Sequence, residues 1–357
     1  MTWLWIGFFA LVFVMLALDL GVFHRKAHEI RIPEAIGWTI FWVVLGLCFS
    51  LVVYVIYEHR WGGAGMVQAH HRLRGADATI LYLTGYLLEE SLSVDNLFVI
   101  SLLFRSMAVP ARFQHRLLFW GIIGALVFRG GMIAGGVWLV HHFTWTFYLF
   151  GLFLVVSGVR MILAGDDEEP EPEASWFFKA VRRVLPMAQQ SHGSRLLSRE
   201  NGRIVVTHLA IALLAIELTD IVFAVDSVPA ILSVTQEPFI VVTSNVFAIL
   251  GLRSLYFVLA GMMNKFRYLK TALSILLVII GGKMLAHQIV DVPNLLSLAV
   301  VIAVVSTGVV VSLLADAREV RRRSQMMLAQ VPEEAALDGV DDEPLKGSGT
   351  ERRDEET

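Results

Sequence analysis

The sequence predicts an all-α polytopic membrane protein of about nine transmembrane helices, six of them forming two inverted three-helix repeats. Three observations lead there. The 357 residues are 56% hydrophobic and only 17% charged, below the roughly 25% charged of soluble domains. The charges gather in short loops and a tail, between apolar runs of about 20 residues, the length a helix needs to cross a bilayer. Six carboxylates then interrupt two of these runs in related patterns: Glu89-Glu90-Ser-Leu-Ser-Val-Asp95-Asn96, and Glu217-Leu-Thr-Asp220 continuing to Asp226-Ser227-Val-Pro229.

The elements follow in order. The first span is expected over 3–23; its apolar stretch has no positive leader and no small-residue cleavage site, so it reads as a retained span rather than a signal peptide. The second, 36–57, starts after Arg31-Ile-Pro33. The third, 80–103, carries the first acidic motif, and Val109-Pro110 separates it from the fourth, 117–140, and fifth, 143–163. The connection 164–204 opens with a solvated acidic run, Asp166–Glu173, and continues with an amphipathic stretch, Trp176–Leu185, suited to lie on a membrane surface. The sixth span, 205–233, carries the second motif. The seventh, 239–262, follows Gln236-Glu237-Pro238; the eighth is 271–290; Asp291-Val-Pro293 precedes the ninth, 295–315. The chain thus divides into 1–79, a first repeat at 80–163, the loop 164–204, a second repeat at 205–290, the last span 291–315 and a tail, 316–357, expected to be disordered.

Loop charge sets the orientation. The connections 24–35, 104–116, 164–204 and 262–270, with the tail after 315, hold 3, 3, 6, 3 and 7 Lys and Arg residues. The alternate connections, 58–79, 141–142, 234–238 and 291–294, hold 3, 0, 0 and 0. Positive loops stay cytoplasmic, which puts the N-terminus outside and the C-terminus inside. The net charge of -3 comes with no basic face, so no nucleic-acid partner is expected; the lipid bilayer is. The single cysteine, Cys48, excludes a disulfide framework or thiolate metal site within one chain.

The repeat rests on ionisable positions. Ser93-Val-Asp95-Asn96 aligns with Ala224-Val-Asp226-Ser227, and six residues before each Asp stands another acid, Glu89 or Asp220. The next span of each unit carries a mid-span arginine, Arg129 or Arg253. With the orientation above, Asp95 lies on an inward-running span and Asp226 on an outward-running one. Inverted repeats of this kind recur in secondary transporters, which bind substrate near the midplane.

An ionised carboxylate at the bilayer centre costs about 2.5 kcal/mol or more, so such residues are rare without a role. Against the six acids stand three intramembrane bases: Arg129, Arg253 and Lys283. The acids act as ion or proton sites, or else as structural partners of the arginines; Glu90 and Glu217 could instead line a polar vestibule. The candidate metal ligands are Asp95, Asp226, Glu89, Asp220, Asn96 and Ser227. Arg129, Arg253, Glu90, Glu217 and Lys283 are candidate gating or ion-pair residues. Oxygen ligands of this kind suit Mg, Ca or Mn rather than Zn or Cu. At roughly 100° per residue, Glu89, Ser93 and Asn96 share one stripe, as do Asp220 and Ser227, whereas Asp95 and Asp226 lie off them. Pro229 is expected to break its helix and expose the Val225 carbonyl beside Asp226.

The segments Glu217–Ile231, Thr243–Phe257, Glu89–Asn96, Arg267–Lys270 and Gly282–Leu285 closely resemble the TerC/Alx family of integral membrane proteins, over about residues 1–315. The resemblance implies a bacterial inner-membrane protein of the LysE-type transporter superfamily, associated with tellurite resistance, alkaline-pH response and manganese efflux. The family's acidic positions fall on Glu89, Asp95, Asp220 and Asp226. The expectation is a Mn²⁺ exporter working by alternating access with H⁺ or Na⁺ as counter-ion, not an enzyme, with no tightly bound cofactor; self-association into a homo-oligomer stays open. The alternative is a non-transporting scaffold or stress sensor of pH or metal. An intramembrane aspartyl protease is disfavoured, because its Gly-x-Gly-Asp signature is absent from the acidic motifs.

Overall fold

The computed structural model describes residues 2–18, 32–64, 73–163 apart from 108 and 144, 197–200, 203–260, 268–286 and 292–329; at a few of these, Asp95 included, it describes the backbone alone. Asp19, the acidic run 166–173, the amphipathic stretch 176–185 and residues 330–357 lie outside the described residues. Among the described residues there are nine α-helices: α1 (Thr2–Leu18), α2 (Ile32–Glu58), α3 (Gly75–Ser106), α4 (Ala111–His142), α5 (Trp145–Leu163), α6 (His208–Val234), α7 (Pro238–Ala260), α8 (Leu269–Leu285) and α9 (Asn294–Ala329). Each anticipated span has its helix. Six of them (α2, α4, α5, α6, α7 and α9) are long and apolar enough to cross a membrane. The helices α1 and α8 have 17 residues each, and α3 is the one that carries Glu89, Glu90 and Asp95.

Three expectations need correction. Residues 316–329 were expected in a disordered tail, but α9 runs on to Ala329. The stretch is rich in Ala, Arg, Glu, Met and Leu, all strong helix formers, and meets no proline until Pro332. Pro229 does not end its helix: α6 continues from His208 to Val234 with the proline inside. Proline removes one donor, but residues 227–232 are buried among neighbouring helices, which hold the turn in place. Within the loop 164–204, strands β1 (Leu197–Glu200) and β2 (Arg203–Val206) pair antiparallel. The Asn201-Gly202 dipeptide between them is a hairpin signal present in the sequence.

The described residues up to 312 form one compact unit, and those from 313 belong to a second. In the first unit α7 is central, with 83% of its apolar window buried against 22% for α5. Apolar side chains point outward from the rim helices, among them Phe13 (73% exposed) and Val127 (68% exposed), as expected where lipid is the solvent. Trp3, Trp61, Trp138 and Trp145 are exposed at one end of the bundle, an arrangement typical of a membrane–water interface.

Side-chain contacts give the helix directions. Gly121 of α4 faces Ile216 of α6, Gly124 faces Glu217, and Gly136 faces Val228 and Leu232, so α4 and α6 run parallel. Gly85 of α3 faces Ser244 of α7, and Gly251 of α7 lies near Glu90 of α3, so these two also run parallel. Gly151 and Gly158 of α5 meet Met284 and Ser274 of α8, which makes that pair antiparallel. The last crossing is close: a Cβ on Gly281 would lie 2.6 Å from the Gly151 carbonyl oxygen, and one on Gly158 2.7 Å from that of Ser274. Glycine lets the two backbones touch.

Candidate functional site

The stripe predicted on α3 faces inward. Glu89 and Ser93 are fully buried and Asn96 nearly so. On α6 the stripe of Asp220 and Ser227 is likewise buried, while Val222 and Val225 on the opposite side are exposed. Asp95 lies on the same helix as Glu89, one and a half turns further on, with its backbone alone described.

The centre of the site is an arginine. Arg129 of α4 is 0% exposed. Its Nε donates to Asp220 Oδ2 at 3.1 Å and its Nη2 to Asp220 Oδ1 at 2.7 Å, a bidentate pair. Its Nη1 forms an ion pair with Glu89 Oε1. Ser93 Oγ donates to the same Glu89 oxygen at 3.4 Å. One guanidinium therefore joins an acid from α3 to an acid from α6. Small residues on α4 make this possible: Gly121 and Gly124 let α6 approach until Asp220 reaches Arg129.

On the two helices that supply these acids, several buried oxygens have no hydrogen-bond partner: Glu89 Oε2 and Glu90 Oε2 on α3, and Glu217 Oε2, Asp226 Oδ1 and Ser227 Oγ on α6. Glu217 presses its carboxylate against Gly124, where a Cβ would collide with it. Glu90 approaches Gly251, its Oε1 lying 3.9 Å from where a Cβ would stand. Asp226 is half-buried, and its side chain is hydrogen-bonded to Ser157 of α5. Asn245 of α7 is buried with its Nδ2 lacking a hydrogen-bond partner. Lys283 donates to Ser297 Oγ of α9 at 2.7 Å. Arg253 is buried on α7 and interacts within the bundle.

Among the described residues no group of three His, Cys, Asp or Glu side chains stands close enough to hold a metal ion. Glu89 and Asp220 converge, but on Arg129. A further buried carboxylate was not among the candidates: Glu237, in the short link between α6 and α7, accepts a hydrogen bond from Tyr57 of α2 at 3.0 Å. Its signal in the sequence is an acid placed between two apolar spans in a connection of three residues, 235–237. Burial pushes the Glu237 carboxyl above the usual carboxylate range, with the Tyr57 hydrogen bond and the charge of His141 opposing the rise.

Comparison with known proteins agrees with this architecture. Residues 74–321 match the integral membrane protein TerC family, a segment that starts at α3 and contains the whole site. The chain is 45% identical over 311 residues to an uncharacterized membrane protein of Myxococcus xanthus, STKORF319, covering 87% of this chain and 92% of that one. It is 40% identical over 324 residues to Alx of Escherichia coli K12, whose name describes a membrane-bound redox modulator; the match covers 90% of this chain and 97% of Alx. An uncharacterized membrane protein of Rickettsia bellii is 35% identical over 310 residues, 87% of this chain and 97% of that protein. No solved structure matches the chain. By the extent of the family match and of these relatives, the chain belongs to the integral membrane protein TerC family.

Proposed function

We propose that this protein is a bacterial inner-membrane transporter that exports Mn²⁺ by alternating access, with H⁺ or Na⁺ as counter-ion. The observation that carries the reading is the net-acidic pair of helices α3 and α6: Glu89 and Asp220 held by one arginine, with one oxygen each of Glu90, Glu217 and Asp226 on the same two helices lacking a hydrogen-bond partner. A core that only held helices together would not need surplus acids. The crossed packing supports it too: α3 parallel to α7 and α4 parallel to α6 is the pairing expected of inverted repeats α3–α5 and α6–α8. An all-oxygen donor set favours Mn²⁺, Mg²⁺ or Ca²⁺ over softer metals, and the family resemblance favours Mn²⁺.

The loop-charge asymmetry puts the tryptophan end of the bundle outside and the C-terminus in the cytoplasm. The redox wording of the Alx name fits an indirect role through a redox-active ion, because a single cysteine gives no dithiol couple within one chain. Tellurite, an anion, suits a net-acidic centre poorly, so a part in tellurite resistance would also be indirect.

The test is flux. Purified protein in liposomes should move Mn²⁺ under an imposed H⁺ or Na⁺ gradient, and Asp226→Asn should abolish that flux while the protein still inserts. Gradient-driven Mn²⁺ flux undiminished in Asp226→Asn would remove Asp226 from the mechanism. No flux under either gradient would favour a sensor, for which deletion of 330–357 should then abolish function in cells.

A further inference from the structure

A divalent cation bound between Glu89 and Asp220 would need the place that Arg129 now fills. Resting on the transport reading, we infer that Arg129 is a tethered cation: its guanidinium sits in the seat of the transported divalent ion, and the ion and the arginine exclude each other. In the described arrangement both acids are paired with the arginine.

Four observations converge. The arginine is completely buried and takes both acids at once, one from α3 and one from α6. A bidentate guanidinium satisfies Asp220 in the way a cation would. Ser93 Oγ donates to the same Glu89 oxygen that pairs with Arg129, so the arginine sits among the oxygen donors that a hard divalent ion takes. Finally, α6 carries a second acid one turn before Asp220. Glu217 lies three residues before Asp220 on α6, and its Oε2 is buried without a hydrogen-bond partner. Its carboxylate lies against Gly124 of Arg129's own helix. Side chains on a helix lean toward its N-terminus, which is the direction of Gly124 from Arg129. The missing Cβ at Gly124 leaves the room that the Glu217 carboxylate fills, on the helix that carries Arg129.

Charge balance favours the exchange. With Arg129 between Glu89 and Asp220, that triad carries one negative charge, and an added divalent ion would leave it positive with a guanidinium beside the metal. If Arg129 moves to Glu217, the ion with Glu89 and Asp220 is neutral, and so is the new arginine–glutamate pair. The three acids and one arginine together match one divalent ion and are poorly matched by a monovalent one. A low-dielectric interior makes such imbalances costly. Arg129 thus acts as a positioning residue that empties the seat of ion after release and closes it against leak.

The test is Mn²⁺ affinity of the purified full chain, read from the electron paramagnetic resonance signal of unbound Mn²⁺, for wild type, Arg129→Gln and Glu217→Gln. Removing the competitor in Arg129→Gln should tighten Mn²⁺ binding by about tenfold or more, the scale of a lost bidentate charged hydrogen bond. Removing the alternative seat in Glu217→Gln should weaken binding by about tenfold. A purely structural arginine would not move the two variants in opposite directions. Should Arg129→Gln fail to fold, Glu217→Gln, a neutral isostere at a half-buried position, decides alone. Unchanged or tighter binding in Glu217→Gln, or unchanged or weaker binding in folded Arg129→Gln, overturns the tethered cation and leaves transport standing. No Mn²⁺ binding by any of the three overturns both readings.

Discussion

The acidic centre and the α5–α8 seam hold the bundle together by opposite means. At the centre, α3, α4 and α6 meet through charge: Glu89, Arg129 and Asp220, all buried. At the seam, α5 and α8 meet through shape: Gly151, Gly158 and Gly281 bring backbone onto backbone. A seam of this kind has one good packing and no dependence on ions. A buried charge cluster is stable only while its charges balance, so its geometry answers to whichever cation is present. On the transport reading, the seam is the rigid part of the bundle and the centre the ion-dependent one.

Breaking the centre should have the largest effect. Arg129→Met leaves Glu89 and Asp220 buried and uncompensated, a change that costs about 3–5 kcal/mol in comparable buried pairs. The unfolding midpoint in detergent should fall steeply, and millimolar Mn²⁺ should restore much of it by supplying the missing positive charge. A midpoint that falls equally with and without Mn²⁺ would mean the centre is only a brace.

Breaking the seam sharpens the contrast. Gly281→Leu forces side-chain atoms against the Gly151 carbonyl and the Val155 backbone, where even a Cβ would lie 2.6 and 2.8 Å away. Overpacking of this kind costs about 1–3 kcal/mol, and no ion should recover it. Thermal unfolding of Gly281→Leu with and without Mn²⁺ checks this; a Mn²⁺ rescue matching that of Arg129→Met would erase the distinction between the two regions.

The sequence carried the centre only in part. The stripe of Glu89, Ser93 and Asn96 was readable because helical periodicity fixes which residues share a face, and all three are buried. The partner of Arg129 was not readable from periodicity. Helices in lipid are apolar all round, so hydropathy does not say which face meets which neighbour. The small residues did say it: Gly121, Gly124 and Gly136 mark the face of α4 that lies on α6, and with it the reach from Arg129 to Asp220. The span ends at α3 and α4 were read five and six residues late, since Gly75–Thr79 and Ala111–Arg116 are polar turns of helix beyond the apolar run. The unbroken α6 was missed for a different reason. The local cost of Pro229 was legible, but not the packing around residues 227–232 that offsets it.

The smallest effect belongs to the tryptophan end, where Tyr57 ties α2 to the α6–α7 link through Glu237. Here a charge and a shape contact coincide, so this end tests whether the contrast is complete. Tyr57→Phe keeps the ring and removes the hydroxyl, which should cost about 0.5–1.5 kcal/mol. The pH dependence gives the sign. Burial raises the Glu237 carboxyl above its unfolded range, so the folded state holds this proton where the unfolded state has lost it. The resulting stability is full below the ordinary carboxylate range and declines as pH rises through the raised value. The Tyr57 hydrogen bond favours the charged form and limits that decline. Tyr57→Phe should therefore lose more stability at alkaline than at acidic pH, and Glu237→Gln should flatten the profile. Unfolding midpoints across pH in the three proteins decide it: parallel profiles would mean that Glu237 keeps one protonation state throughout, and that this end, like the seam, is held by shape alone.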